Sequence, residues 1–288
     1  MSEREYAEAT DRARGQVDEV LAGFLADRRA ELAGLDPAAA LLGDEIIRVV
    51  RAGGKRIRPA LCICAFRAAG GPADDARILR AGAAIELLHT SALVHDDVMD
   101  RDLERRGEPA THVRFAKEAP AAADPEGFGT AAAVLVGDLA LVLSERLMRT
   151  CGFEGERLDT AMTRFDRMRV EMAAGQFLDV AGSERRERVR ALKTASYTAV
   201  GPVLIGAALA GAGAAAEGAL VVFGRLVGEA FQLRDDVMDE APNAAASPAE
   251  IDGLLSRAAA ALDGAPLLPD GASALAAIAN ELKMQAAG

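Results

Sequence analysis

Apolar positions recur every three to four residues along most of the chain, the period of a helix with one buried face. The pattern predicts a charged amphipathic helix over 4–33. A second is opened by Asp36-Pro37, with proline at a first-turn position, and runs to about Val50. A helix over 58–69 closes at Gly70-Gly71-Pro72, and a long one covers 74–100. Pro109, Pro120 and Pro125 mark an irregular connection, after which helices are predicted at about 128–150 and 154–180. Tail helices follow at about 249–263 and 271–285. No alternating segment bounded by hairpin turns stands out. The fold class is all-α, a single-domain helical bundle over 1–288.

The stretch from Val200 to Gly224 is apolar and rich in Gly and Ala, as a membrane span can be. Pro202, Glu217 and two glycine clusters interrupt it. Two tightly packed buried helices joined near Gly211 to Gly213 fit it better, so no integral membrane segment is expected.

Charge changes the picture at the end of helix 74–100. Asp96, Asp97 and Asp100 stand there as Asp-Asp-x-x-Asp. Asp96 and Asp100 share one helical face, with Asp97 about a quarter-turn aside. Like charges at that spacing cost roughly a few tenths of a kcal/mol, and negative charge at a helix C-terminus opposes the macrodipole. A sequence that does both is built to hold cations, and oxygen-only ligands suit Mg²⁺. A solvated acidic helix end looks the same, taken alone. Repetition argues against that. The stretch from Phe231 to Glu240 carries Asp235, Asp236 and Asp239 at the same spacing, with the same Val-Met between. Two such clusters are what a multi-Mg²⁺ cage around a diphosphate would need.

The net charge of −11 argues against general nucleic-acid binding, so a basic cluster carries more information here. One lies at Arg51, Lys55, Arg56 and Arg58, around Gly53-Gly54 and before Pro59. A glycine turn with cations ahead of a helix is an anion site or a solvated basic loop. Arg105-Arg106-Gly107 follows the first aspartates, and two guanidiniums can clamp two diphosphates. Glu86 and His89 form one Glu-x-x-His pair; a di-iron site needs a second, and neither His95 nor His112 supplies it. His95 points about 100° away from Asp96 and reads as a packing residue. Gln176 and Asp179 lie three apart on helix 154–180, and Lys193-Thr194 closes a mixed-charge tract. Cys62, Cys64 and Cys151 form no disulfide or zinc pattern. With an N-terminus charged from its third residue, they point to a reducing, cytoplasmic setting without leader or anchor.

Taken in order, GGKRIRP, DDVMD followed by RRG, Lys193-Thr194 and FQLRDDVMD make the sequence resemble the trans-isoprenyl (polyprenyl) diphosphate synthase family, from about Ala52 to Glu240. The resemblance implies a helical bundle with a central apolar cavity, usually a homodimer, and Mg²⁺, three ions per active site. It implies that Asp96, Asp97, Asp100, Asp235, Asp236 and Asp239 hold Mg²⁺ on an allylic diphosphate. Arg105, Lys193, Thr194 and Gln232 would contact that diphosphate. Lys55, Arg58, His89 and Arg106 would hold isopentenyl diphosphate. The product would be a longer trans-polyprenyl diphosphate, with geranylgeranyl (C20) the expected length.

The pattern breaks after Glu240. Family members continue with a Gly-Lys loop, whereas here APNAAASPAEID follows and no Lys occurs between Lys193 and Lys283. A natural deletion or a segment absent from this sequence would explain it; the second is favoured, because a missing helix would uncover part of the core. The break leaves open a weakly active or regulatory subunit, a terpene cyclase and a plain structural bundle. Ser91 and Ala92, five and four residues before Asp96, are small, and Leu87 and Leu88 lie one turn deeper. The growing tail should pass the first pair and stop lower down. Ala92→Phe and Ser91→Phe are therefore expected to shorten the product by at least one C5 unit, read by chromatography of labelled prenyl products; unchanged lengths would remove this pocket.

Overall fold

The computed structural model describes residues 3–118, 123–183, 185, 189, 191–238 and 246–284, with backbone only for 3–10, 193 and 194. Helix α1 spans Glu3–Leu35. Asp36 then caps a 3₁₀ turn over Pro37–Ala39, its Oδ1 accepting from the Ala38 amide at 2.7 Å, and α2 covers Ala40–Arg51. After it come α3 (Ile57–Ala68), α4 (Ala76–Asp100), α5 (Thr111–Glu118) and α6 (Pro125–Arg149). Helix α7 covers Gly155–Val180, a π-helical segment Ala191–Val200, and α8 Gly201–Ala210. The chain continues with α9 (Ala214–Met238), α10 (Pro248–Ala260) and α11 (Pro269–Glu281). The all-α class holds.

Three local features differ from the sequence expectation. The proline-rich connection contains α5, too short for its period to stand out. Pro125 opens α6 instead of interrupting the chain, because Asp124 caps the helix by accepting from the Gly127 amide at 2.9 Å. Arg106 and Gly107 form a two-residue turn between the strand pairs Glu104–Arg105 and Glu108–Pro109. Both turn residues have positive φ, 57° and 77°, as a tight hairpin of this hand requires.

The chain divides into two compact units. The first takes Met1–Arg14, Ile57–Gly82 and Cys151–Gly288. At its centre α3 is buried nearly all round, from Ile57 to Ala68, with Arg58 and Arg67 the exceptions. Nine of the ten residues of α8 are buried as well. Helices apolar on every side belong inside a core. Their backbones meet at Gly206, where an added Cβ would lie 2.1 Å from the Cys62 carbonyl oxygen. Val203, Phe223, Val227, Ile251, Leu255 and Ile278 complete this core. Gly211, at φ +80°, ends α8 in the left-handed conformation that favours glycine. The suspected membrane stretch is thus α8 plus the start of α9, joined where expected.

The second unit takes Gly15–Arg56 and Ala83–Thr150. Buried Glu45 ties α2 to α5: it accepts from Arg48 at 2.6 Å, Arg114 at 2.7 Å and Thr111 at 2.8 Å. Removing one member of so buried a charge network costs on the order of 3–5 kcal/mol. Gly137 of α6 lets the His95 ring sit against the helix, Nε2 lying 3.2 Å from the Val134 oxygen, so His95 is a packing residue. Among the described residues α6, and not the stretch at 200–224, is the one helix long and apolar enough to cross a membrane. Its outer face exposes Phe128, Leu135 and Val142.

Because Gly206 admits no side chain, Gly206→Ala should destabilise the protein by about 1–3 kcal/mol. Thermal denaturation should show Tm falling by roughly 2–12 °C, and an unchanged Tm would mean that α3 and α8 part easily.

Candidate active site

In the second unit the first aspartate cluster closes α4. Asp97 is buried, Asp96 half-buried and Asp100 exposed. The hairpin after α4 turns Arg105 back onto Asp97. Its Nε donates to Asp97 Oδ1 at 2.7 Å, one terminal nitrogen reaches the same oxygen, and that nitrogen also meets Asp102 Oδ2 at 3.0 Å. The left-handed backbone at Arg106 sends that side chain the other way. Its guanidinium lies over Gly54, where an added Cβ would be 3.0 Å from Arg106 Nη2. The hairpin thereby separates the two arginines, one to the aspartates and one to the Gly53-Gly54 turn beside exposed Lys55. His89 lies half-buried on α4, one turn after Glu86.

The basic tract does not act as one patch. Arg56 is 7% exposed and engaged by Glu86 and Asp18, so it is no open anion ligand. Arg51 is exposed on the last turn of α2. Glu86, excluded above as a metal ligand, is instead the buried counter-charge of Arg56.

In the first unit Arg58 stacks on Tyr197, its guanidinium carbon 4.5 Å from the ring centroid, and donates to Thr198 Oγ1 at 2.9 Å. Both partners belong to the π-helical segment, and neither stood out in the sequence; an aromatic residue shortly after Lys-Thr was the available signal. The backbone of Lys193 and Thr194 lies in that same wide turn, a form rare in proteins and frequent at functional sites. Their side chains are outside the described residues, as is Asp239. Asp235 and Asp236 are half-buried near the end of α9, and Gln232 Nε2 donates to Asp236 Oδ1 at 2.6 Å. Gln232 also lines a cavity of about 670 Å³ with Glu171, Ala195, Ser196, Gly228 and Leu233.

Among the described residues no three Asp, Glu, His or Cys side chains form a ready metal cage. Magnesium does not require one: it is usually held by one or two carboxylates together with water and substrate phosphate. The oxygen-only donors at the end of α4 and, taken separately, at the end of α9 are of the kind that suits Mg²⁺.

The polyprenyl synthetase family model matches residues 40–247. The chain belongs to this family. It is 37% identical over 199 residues to the geranylgeranyl diphosphate synthase of Methanosarcina mazei, 66% of this chain and 56% of that protein. It is 34% identical over 192 residues to a (2E,6E)-farnesyl diphosphate synthase of Mycobacterium tuberculosis, 64% of this chain and 48% of that protein. The chain thus spans about half the length of the curated relatives it matches. Among solved structures, a geranylgeranyl pyrophosphate synthase from Corynebacterium glutamicum, complexed with isoprenyl diphosphate and magnesium, superposes with a TM-score of 0.86 at 25% identity. That match covers 96% of this chain and 99% of the other. The geranylgeranyl pyrophosphate synthetase of Pyrococcus horikoshii shares the fold, with a TM-score of 0.79 at 20% identity over 98% and 100% of the two chains.

Within this member of the family the acidic helix end is electrostatically strained. Burial pushes the Asp97 carboxyl above the usual carboxylate range; Arg105 pulls it down, while Asp102 and Asp96 push it up again. Burial works against the Arg105 charge too, but Asp97, Asp102 and Asp96 all favour it, so its pKa rises. The two partners therefore shift the same way for different reasons: the neighbouring acids help the arginine and hinder the aspartate.

A carboxyl raised in the folded state contributes stability below the ordinary carboxylate pKa and loses it as pH climbs through the raised value. Asp97→Asn is therefore expected to melt above the wild type at pH 7, with the gap closing as pH falls to about 4. Thermal melts between those limits check this; a variant that melts lower throughout would show that the pair with Arg105 outweighs burial.

Proposed function

We propose that the chain is a Mg²⁺-dependent prenyltransferase that condenses isopentenyl diphosphate with an allylic diphosphate to give a trans-polyprenyl diphosphate. The observation that carries this reading is the family match over residues 40–247, which contains both aspartate clusters and both basic segments. The likeness to a synthase solved with isoprenyl diphosphate and magnesium supports the ligand chemistry.

Asp96, Asp97, Asp100, Asp235, Asp236 and Asp239 would hold the metal, three ions per site, with Arg105, Lys193, Thr194 and Gln232 on the allylic diphosphate. When bound, Mg²⁺ neutralises charge on the departing diphosphate. Arg105 is already aimed at the acidic helix end, so its guanidinium moves from Asp97 to phosphate oxygens at little orientational cost. Lys55, Arg58, His89 and Arg106 would hold isopentenyl diphosphate, whose double bond attacks the allylic carbon as the C–O bond breaks. The proton then lost goes to the released diphosphate. Water must be kept from the cation, and the apolar lower turns of α4 serve that. Leu87 and Leu88 are fully buried, Ser91 is 3% exposed, and Ala92 is half-buried nearer the aspartates. This gradation from small to bulky supports a geranylgeranyl (C20) product.

The exposed stripe on α6, Phe128, Leu135 and Val142, lies at helical spacing and suits a contact with a second copy, making the enzyme a homodimer. Cys62, Cys64 and Cys151 are buried free thiols, in accord with a cytoplasmic setting.

Labelled isopentenyl diphosphate offered with each short allylic diphosphate should yield a prenyl product and release diphosphate only with Mg²⁺. Asp96→Asn and Asp235→Asn should each lower kcat about 100-fold or more. Wild-type protein that releases no diphosphate, yet folds, would refute the reading.

A further inference from the structure

Arg56 stands between two residues assigned to isopentenyl diphosphate, Lys55 and Arg58, yet the structure gives it a different task. Its backbone has φ +48°, a region that residues with a Cβ seldom enter. Its side chain is buried, and four of its five N–H donors are taken within the second unit. Nε donates to Asp18 Oδ1 at 2.8 Å, and Nη1 donates to Glu86 Oε1 at 2.7 Å. Nη2 donates to the Val50 oxygen at 2.7 Å, and Nη1 also reaches the Gly53 oxygen at 3.5 Å. One guanidinium thus ties α1, the end of α2, the glycine turn and α4 together.

The glycine turn needs such a tie. Gly53 and Gly54 have φ of +91° and +147° and little conformational preference of their own. Lys55 follows them directly, and Arg106 packs over Gly54. Glu86, at the other end of the tie, is 4% exposed and lies one helical turn before His89. The Thr90 hydroxyl donates to the Glu86 carbonyl at 3.0 Å, so this turn of α4 is itself held.

We infer that Arg56 is a positioning residue for isopentenyl diphosphate. Through its buried pair with Glu86 it sets the distance between the Lys55 turn, with Arg106 over it, and the turn of α4 that carries His89. It does not touch the diphosphate. This rests on the prenyl-transfer reading above. Restricting the turn before the ligand arrives lowers the ordering cost of binding, so the loss on removing the tie belongs to isopentenyl diphosphate and not to the allylic substrate.

Steady-state kinetics of Arg56→Gln, Arg56→Lys and Glu86→Gln test this, with Asp18→Asn as a control at the more exposed end of the guanidinium. In Arg56→Gln the KM for isopentenyl diphosphate should rise about tenfold or more, while kcat and the allylic KM stay within about twofold. Arg56→Lys restores the charge opposite Glu86 and should recover most of the loss; Asp18→Asn should change KM by less than about twofold. If Arg56→Gln does not fold, Glu86→Gln, which keeps an acceptor for the guanidinium, should still raise that one KM about threefold. Equal rises in both KM values, or no change in either, would overturn the positioning role. Calorimetric titration with isopentenyl diphosphate separates the two levels. No binding by the wild type removes the prenyl-transfer reading and this role with it; equal binding by wild type and Arg56→Gln removes only the role.

Discussion

Negative charge gathered at the C-terminal end of a helix is the constraint around which the acidic half of the site is arranged. Asp96, Asp97 and Asp100 repel one another and the helix dipole, and Asp97 is buried as well. Arg105 makes this tolerable, and it reaches Asp97 only because the chain reverses at once through a two-residue turn with Arg106 in the left-handed region. The strain is not fully relieved: burial still holds the Asp97 carboxyl above its usual range. A site that keeps such an unfavourable charge gives up some stability for it, which is common where a protein must bind something the folded chain alone does not supply.

The same economy appears among the arginines. A guanidinium serves equally well as a ligand for phosphate and as a strut inside the protein, and the outcome depends on what surrounds it. Arg56 meets two carboxylates and two carbonyls and is buried. Arg58, two residues on, meets an aromatic face and a hydroxyl, and its buried Nε makes no hydrogen bond among the described residues. Glu45 binds Arg48 and Arg114 in the same manner as Glu86 binds Arg56, so buried Glu–Arg pairs recur as fastenings between helices of the second unit.

Close backbone approach does the corresponding work in the first unit. Gly206 against Cys62, Gly228 against Ala195 and Gly271 against Ala68 each leave no room for a Cβ. These contacts let α8, α9 and α11 pack tightly, which small-residue helices need because they have little side chain to bury. The contact at Gly228 sets α9, with Gln232 and its aspartates, beside the π-helical segment of Lys193 and Thr194.

Periodicity and a few strong local signals were enough, from the sequence alone, for the all-α class, most helix positions, the turn at Gly211 and both aspartate clusters. Those features depend on residues near one another along the chain. Helix α5 escaped because eight residues hold about two turns of pattern, and the hairpin at 104–109 because Arg, not Asn, Asp or Gly, occupies the first of its two left-handed positions. The break in the family pattern after Glu240 begins in 241–245, which lie outside the described residues. Which arginine is a strut and which is open to a ligand was decided only by tertiary structure. The sequence spaces Arg51, Lys55, Arg56 and Arg58 as one basic cluster, but burial and counter-charge are set by Asp18 and Glu86, brought in from distant parts of the chain. A charge takes its role from its three-dimensional surroundings, and linear spacing carries no record of them.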